Sequence, residues 1–216
     1  MINRFKITLL VVLITALTGC QTAYYSAMEQ VGVHKRDILV DRVEEARESQ
    51  ADAQEQFKDA LEQFKSVVAF DGGELDKIYN QLQAEYDDSV DAADDVSNRI
   101  RKVEQVSEDL FEEWEDELDQ YTNQKFRSQS AAKLRTTKVR YKELIRSLKK
   151  AEKRMPPVLN ALQDNVLYLK HNLNARAIGS LKSEYKGIKS NIDLLIRDME
   201  KAIQDSDRFI QQMEQG

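Results

Sequence analysis

DILVDRVEEARESQADAQEQFKDALEQFKSVV, residues 37–68, sets Leu39, Val43, Ala46, Gln50, Ala53, Phe57, Ala60, Phe64 and Val67 at alternating steps of four and three. A hydrophobic period of 3.5 is the seam by which one helix lies along another. Here it persists from Leu39 to Val67 without a break, and Asp71-Gly72-Gly73 then marks a turn.

The same period continues outward from that stretch. A second helix is predicted from near Glu74, with Leu75, Tyr79, Leu82, Tyr86, Ser89, Ala93, Val96, Ile100, Val103, Ser107, Leu110, Trp114, Glu117 and Tyr121 on its seam. At 1.5 Å per residue it would run about 70 Å, so it must lie along other helices. Tyr121 to Ser130 (YTNQKFRSQS) is polar and poor in helix formers, which predicts a turn or bend. A third helix carries Thr137, Tyr141, Leu144, Leu148, Ala151 and Met155, and Pro156-Pro157 must end or kink it. From Val158 to Gln215 a seam through Leu159, Leu162, Val166, Leu169 and Leu173 slips around Asn174 to Gly179. It resumes from Ile178 to Met213, and the slip predicts a bend or a stutter. The expected fold is all-α, either an elongated antiparallel coiled-coil hairpin or a three-to-four-helix bundle.

Composition agrees with long helices, since the 216 residues include only two prolines and seven glycines. Charge is divided along the chain. Asp41 to Gln120 holds 26 acidic and 8 basic residues, net −18, whereas Tyr121 to Ser190 holds 17 basic and 4 acidic, net +13. A turn between them would bring Glu112, Glu113, Glu115, Asp116 and Glu117 beside Lys125, Arg127, Lys133, Arg135 and Lys138, acidic helix antiparallel to basic helix. Alternatively one face stays open for a charged partner. No nucleic-acid recognition motif accompanies the basic stretch, and nucleic acid is not an expected partner.

The N-terminus carries a different message. A positive start, Met1 to Lys6, precedes an apolar run, Ile7 to Leu17, too short for the roughly 20 residues of a membrane span. This is the pattern of a secretory signal peptide. Leu17-Thr18-Gly19-Cys20 resembles a bacterial lipobox, and Cys20 is the only cysteine of the chain. The resemblance implies cleavage before Cys20, diacylglyceryl on its sulfur and acylation of its new amino group, a stable anchor because several chains are attached. Removing Arg4 and Lys6 would take the net charge from −6 to −8. Gln21 follows where Asp would favour retention in the inner membrane, so the expected location is the outer membrane, facing the periplasm. The expected division is a signal peptide at 1–19, a lipidated cysteine and tether at 20–36, with Tyr24 and Tyr25 either at the membrane interface or packed on the domain, and a helical domain at 37–216.

No catalytic constellation, nucleotide loop or zinc-protease motif is present, and the chain is not expected to be an enzyme or to bind a cofactor. His34 and His171 are far apart in sequence, and neither has a Glu three residues before it, as a di-iron bundle would require. Carboxylates on a regular helix do not converge as a calcium loop does, so no metal is expected. Leu110, Trp114 and Tyr121 are the candidate partner-binding residues, because their seam could be covered by a partner helix.

The lipobox, the heptads, the stretch Leu110-Phe111-Glu112-Glu113-Trp114-Glu115 and the stretch from Val166 to Ala175 (VLYLKHNLNA) together resemble a family of proteobacterial lipoproteins, described only as a domain of unknown function. The likeness covers nearly the whole chain. It implies a secreted helical protein and supplies no functional residue. The expected role is therefore a membrane-anchored structural or adaptor element that works through coiled-coil contacts with an envelope protein or another copy of itself. The alternative is a helical module that binds a lipid or other envelope component.

Overall fold

The structure, a computed structural model, describes residues 32–70, 72, 74–172 and 175–215. Its elements are α1 (Lys35–Val68), α2 (Leu75–Leu118), α3 (Gln124–Glu152), α4 (Met155–His171) and α5 (Ala175–Glu214). No strand occurs among the described residues. The helices build a bundle of four antiparallel legs, in which α3 and α4 succeed one another along the third leg. α1 packs on α2 and α5, and the α3–α4 leg packs on the same two helices from the diagonal position. The all-α bundle expected from the seams is the fold observed.

The heptads are legible in the core. Leu39, Val43, Ala46, Gln50, Ala53, Phe57, Phe64 and Val67 of α1 are fully buried, and so are Val96 and Val103 of α2, Leu148 of α3 and Ile192, Leu195 and Met199 of α5. Phe57 and Phe64 each contribute roughly 1.5–3 kcal/mol by burial. Phe64 also stacks on Tyr185, with ring centroids 6.2 Å apart, which fixes the end of α1 against the start of α5. Small residues at Ala46, Ala53, Ala93 and Ala202 let the mid-bundle helices approach closely. Between α1 and α2 the chain turns through Gly72 at φ +151°, a conformation in which a Cβ is strained.

Three breaks differ in detail from the sequence expectation. Only residues 119–123 leave the helix between α2 and α3, so 124–130 are helical. Asn123 explains this, because its side chain accepts from the backbone N–H groups of Lys125 (2.9 Å) and Phe126 (3.3 Å) and caps α3. The prolines interrupt the third leg without redirecting it. The chain leaves the helix at Lys153-Arg154, and Pro156 and Pro157 then fall in the first turn of α4, where a missing N–H costs no intrahelical bond. Lys150 before the break meets Asp198 at 2.7 Å, and Tyr168 after it meets Ser180 at 3.4 Å, both on antiparallel α5. The slip near 174–179 is neither a bend nor a stutter, because α4 and α5 run antiparallel and the chain reverses between them.

Candidate functional site

Cys20, its preceding Leu17, Thr18 and Gly19, the sorting position Gln21, and Tyr24 and Tyr25 lie outside the described residues. The described chain begins at Gly32 and enters α1 through His34. The His34 carbonyl accepts from the Asp37 N–H at 2.9 Å, and its own N–H donates to the Asp37 carboxylate at 3.2 Å. Lys35 then bonds Glu113 near the end of α2 at 2.8 Å. The N-terminal segment therefore arrives at the end of the bundle where α2 finishes and α3 begins.

That end holds a groove of about 450 Å³, lined by His34, Lys35, Leu110, Glu113, Trp114 and Lys133 among others. Two of the three sequence candidates meet there. Leu110 is buried in the core and forms the floor, while Trp114 is half-buried against the core. The Trp114 indole N–H donates to Ser130 Oγ at 2.8 Å, pinning α2 to α3. Tyr121 is not brought to the groove. It sits in the turn beyond it, 42% exposed.

Past Glu113 the bundle narrows. Gln212 and Met213, near the end of α5, stand beside Thr136, Thr137 and Arg140 of α3. Among the described residues only α2 and α3 continue beyond those levels, as a two-helix tip projecting roughly 10–15 Å at 1.5 Å per residue. Every residue from Asp119 to Gln129 is exposed, including Phe126 at 55%. The tip's charges oppose the helix dipoles. The last turn of α2 has Glu115, Asp116 and Glu117 and no basic residue, although a helix C-terminus favours cations. The first turn of α3 has Lys125 and Arg127 and no acidic residue, although a helix N-terminus favours anions. Each such charge costs about 0.3–1 kcal/mol. Cross-pairs offset part of this, Arg127 to Asp119 at 2.6 Å and Lys138 to Glu115 at 2.5 Å. Lys149 to Glu104 continues the acidic-to-basic pairing of α2 with α3 further into the bundle. Local rules broken together at one exposed place are a mark of functional use.

Two carboxylates buried between the legs are structural. Burial works to raise the carboxyls of Asp198 and Asp205, but hydrogen bonds and positive charges outweigh it and hold both below the usual carboxylate range. Asp198 is served by Lys150 and Arg154, and Asp205 by Ser147, Lys201 and Arg208. Of these partners, Ser147, Lys150 and Arg154 tie the third leg to α5. Burial likewise raises the phenol of Tyr141, whose ring meets Phe111 edge-on at 5.4 Å. His34 and His171 are exposed at opposite ends of the bundle. Among the described residues no group of three or more His, Cys, Asp or Glu is placed to hold a metal ion, and no helix is long and apolar enough to cross a membrane.

The sequence reading missed Phe126 and Phe111. Phe126 was hidden in a stretch read as a turn, although Asn123 three residues earlier is the helix-start signal that could have revealed it. Phe111 lies one residue off the seam yet is 8% exposed, because α3 covers that flank of α2.

Over residues 24–213 the chain matches a protein family described as "Protein of unknown function (DUF2959)". No curated protein and no solved structure matches it.

Proposed function

The chain belongs to the DUF2959 family, whose function is unknown, and from that premise we propose that it is a proteobacterial lipoprotein serving as an adaptor of the cell envelope. In this reading Cys20 carries the lipid, palmitate among its acyl chains, after cleavage behind Leu17-Thr18-Gly19. Gln21 lets the protein pass to the outer membrane, and the bundle faces the periplasm. The bundle is a rigid spacer and the α2–α3 tip is its docking element, acting on an envelope protein without catalysis or cofactor.

One observation carries the reading: a projecting tip with Tyr121 and Phe126 exposed and charges set against both helix dipoles. A partner bringing cations to the end of α2 and carboxylates to the start of α3 would relieve both unfavourable sets while covering the two rings. Aromatic anchors surrounded by charge are what interfaces select.

The test uses the full-length protein in cells, with a photo-cross-linking side chain at Tyr121 or Phe126, and at exposed Gln163 on α4 as control. One abundant envelope protein captured from the two tip positions and not from 163 is expected. No adduct from the tip, or the same adducts from all three positions, would refute docking there. Anchoring is tested separately. Labelled palmitate should enter the wild-type chain and be absent from Cys20→Ser. The groove beside Trp114 supports a second reading, a module for a lipid or other envelope component. In that case a hydrophobic fluorescent probe should bind the folded chain and be lost in Trp114→Ala.

A further inference from the structure

We infer that the bundle associates side by side with further copies of itself, the basic stripe of α3 on one copy meeting an acidic cluster of α1 and α2 on the next. The stripe consists of Arg135, Lys142 and Arg146 with the C-cap residue Lys153, whose backbone is still helical, and with Val139 and Lys150 these recur at steps of three and four and so share one face. The four are exposed and have no ion-pair partner among the described residues, and Val139 in their midst is 58% exposed. The cluster consists of Asp52 and Glu55 on α1 with Asp88 and Asp91 on α2, all exposed and also without ion-pair partners among the described residues. Like charges at i,i+4, such as Lys142 and Arg146, destabilise a helix, so each surface gains from an opposite charge that the described residues of its own chain do not supply.

Geometry supplies the match that charge alone would leave open. Lys150 bonds Asp198, and Gln54 donates to the Ile196 carbonyl at 3.3 Å, so Lys150 and Gln54 stand level across α5. Gln56 bonds Glu85 at 2.9 Å and Arg99 bonds Glu45 at 2.7 Å, which sets Asp88 and Asp91 level with Asp52 and Glu55. Arg146 and Lys153 therefore bracket the height of the acidic cluster. The third leg and α1 lie diagonally across the bundle. A copy displaced sideways, with no change in height, places the basic stripe of one molecule on the acidic cluster of its neighbour. The contact is heterologous, so a pair keeps one free stripe at one end and one free cluster at the other, and rows can grow. Copies anchored in one membrane share that height. That shared height rests on the anchoring proposed above, whereas the charge pairing does not.

Sedimentation velocity of the full-length protein, in neutral-detergent micelles kept in large excess over the chain, tests the pairing. Oligomers are expected at low salt and are expected to dissociate at high salt, since exposed charges are screened. Arg146→Glu with Lys153→Glu should weaken association at least about tenfold, and Asp88→Lys with Asp91→Lys should do the same. An equimolar mixture of the two reversed chains should recover it, with helicity unchanged throughout. A monomer at every salt concentration would overturn the inference. So would association indifferent to the reversals, or a stripe that binds phosphatidylglycerol vesicles while the chain stays monomeric. Failure of anchoring would appear in the palmitate experiment and leave this result untouched.

Discussion

Gln50 occupies a seam position of α1 between Ala46 and Ala53 and is completely buried. Neither its amide nitrogen nor its amide oxygen meets a hydrogen-bond partner among the described residues. Burying an amide without partners costs about 1–3 kcal/mol. Gln50→Met removes that cost while keeping an unbranched side chain of similar length. Repacking after a shape-conserving change costs less than about 1.5 kcal/mol. The difference is a net stabilisation of about 1–2 kcal/mol, or a rise in Tm of about 2–8 °C for a chain of this size. Urea unfolding followed by helical circular dichroism, with the midpoint and slope fitted together, measures it. Gln50→Ala separates the two contributions, because it removes the amide but leaves a cavity, and it should gain less than Gln50→Met or lose stability. A loss of more than about 1 kcal/mol in Gln50→Met would refute the reasoning, since the amide would then be satisfied in the folded chain. A polar seam residue can fix the register of helices whose apolar repeat would otherwise tolerate a one-heptad slip. If Gln50 does so, the stabilised variant should show broadened core methyl signals in solution.

Phe57→Ala empties a fully buried position of α1 and should cost about 3–5 kcal/mol, read from the same urea midpoints. Asn123→Ala removes the cap of α3 and should cost about 0.5–2 kcal/mol, with faster amide exchange confined to 124–128. The Asp198 and Asp205 carboxyls are held low in the folded chain, so their contribution is fully present above the unfolded Asp value of about 3.9 and is lost as pH falls through their folded values. Stability measured as a function of pH should therefore drop on the acid side of pH 4. The drop should be shallower in a chain with Asp198→Asn and Asp205→Asn, and an unchanged slope would show that other carboxylates control it.

Periodicity alone determined the all-α class, the seams and their faces, because a 3.5-residue repeat has one way to hide its apolar stripe, which is along another helix. Leu39, Val96, Leu148 and Ile192 were legible as core for that reason. So was the antiparallel meeting of acidic α2 with basic α3, because a turn between two oppositely charged stretches must face them. The sequence also singled out Cys20, as the lone cysteine closing a lipobox, and Trp114, as a large aromatic on the α2 seam. Tertiary structure decided what the repeat leaves degenerate. A heptad records that a helix is covered and not which helix covers it, so the pairing of α1 with α5 and the diagonal placing of the third leg were not in the pattern. Leu110, Trp114 and Tyr121 share one seam, yet the seam runs past the end of α1. The same periodicity therefore yields a buried residue, a half-buried one and an exposed one. The charges of α2 and α3 were countable from the sequence. Which of them found partners, and which were left on opposite sides at one height, depended on the rotation of each helix about its own axis, and that is fixed only when all four legs pack at once.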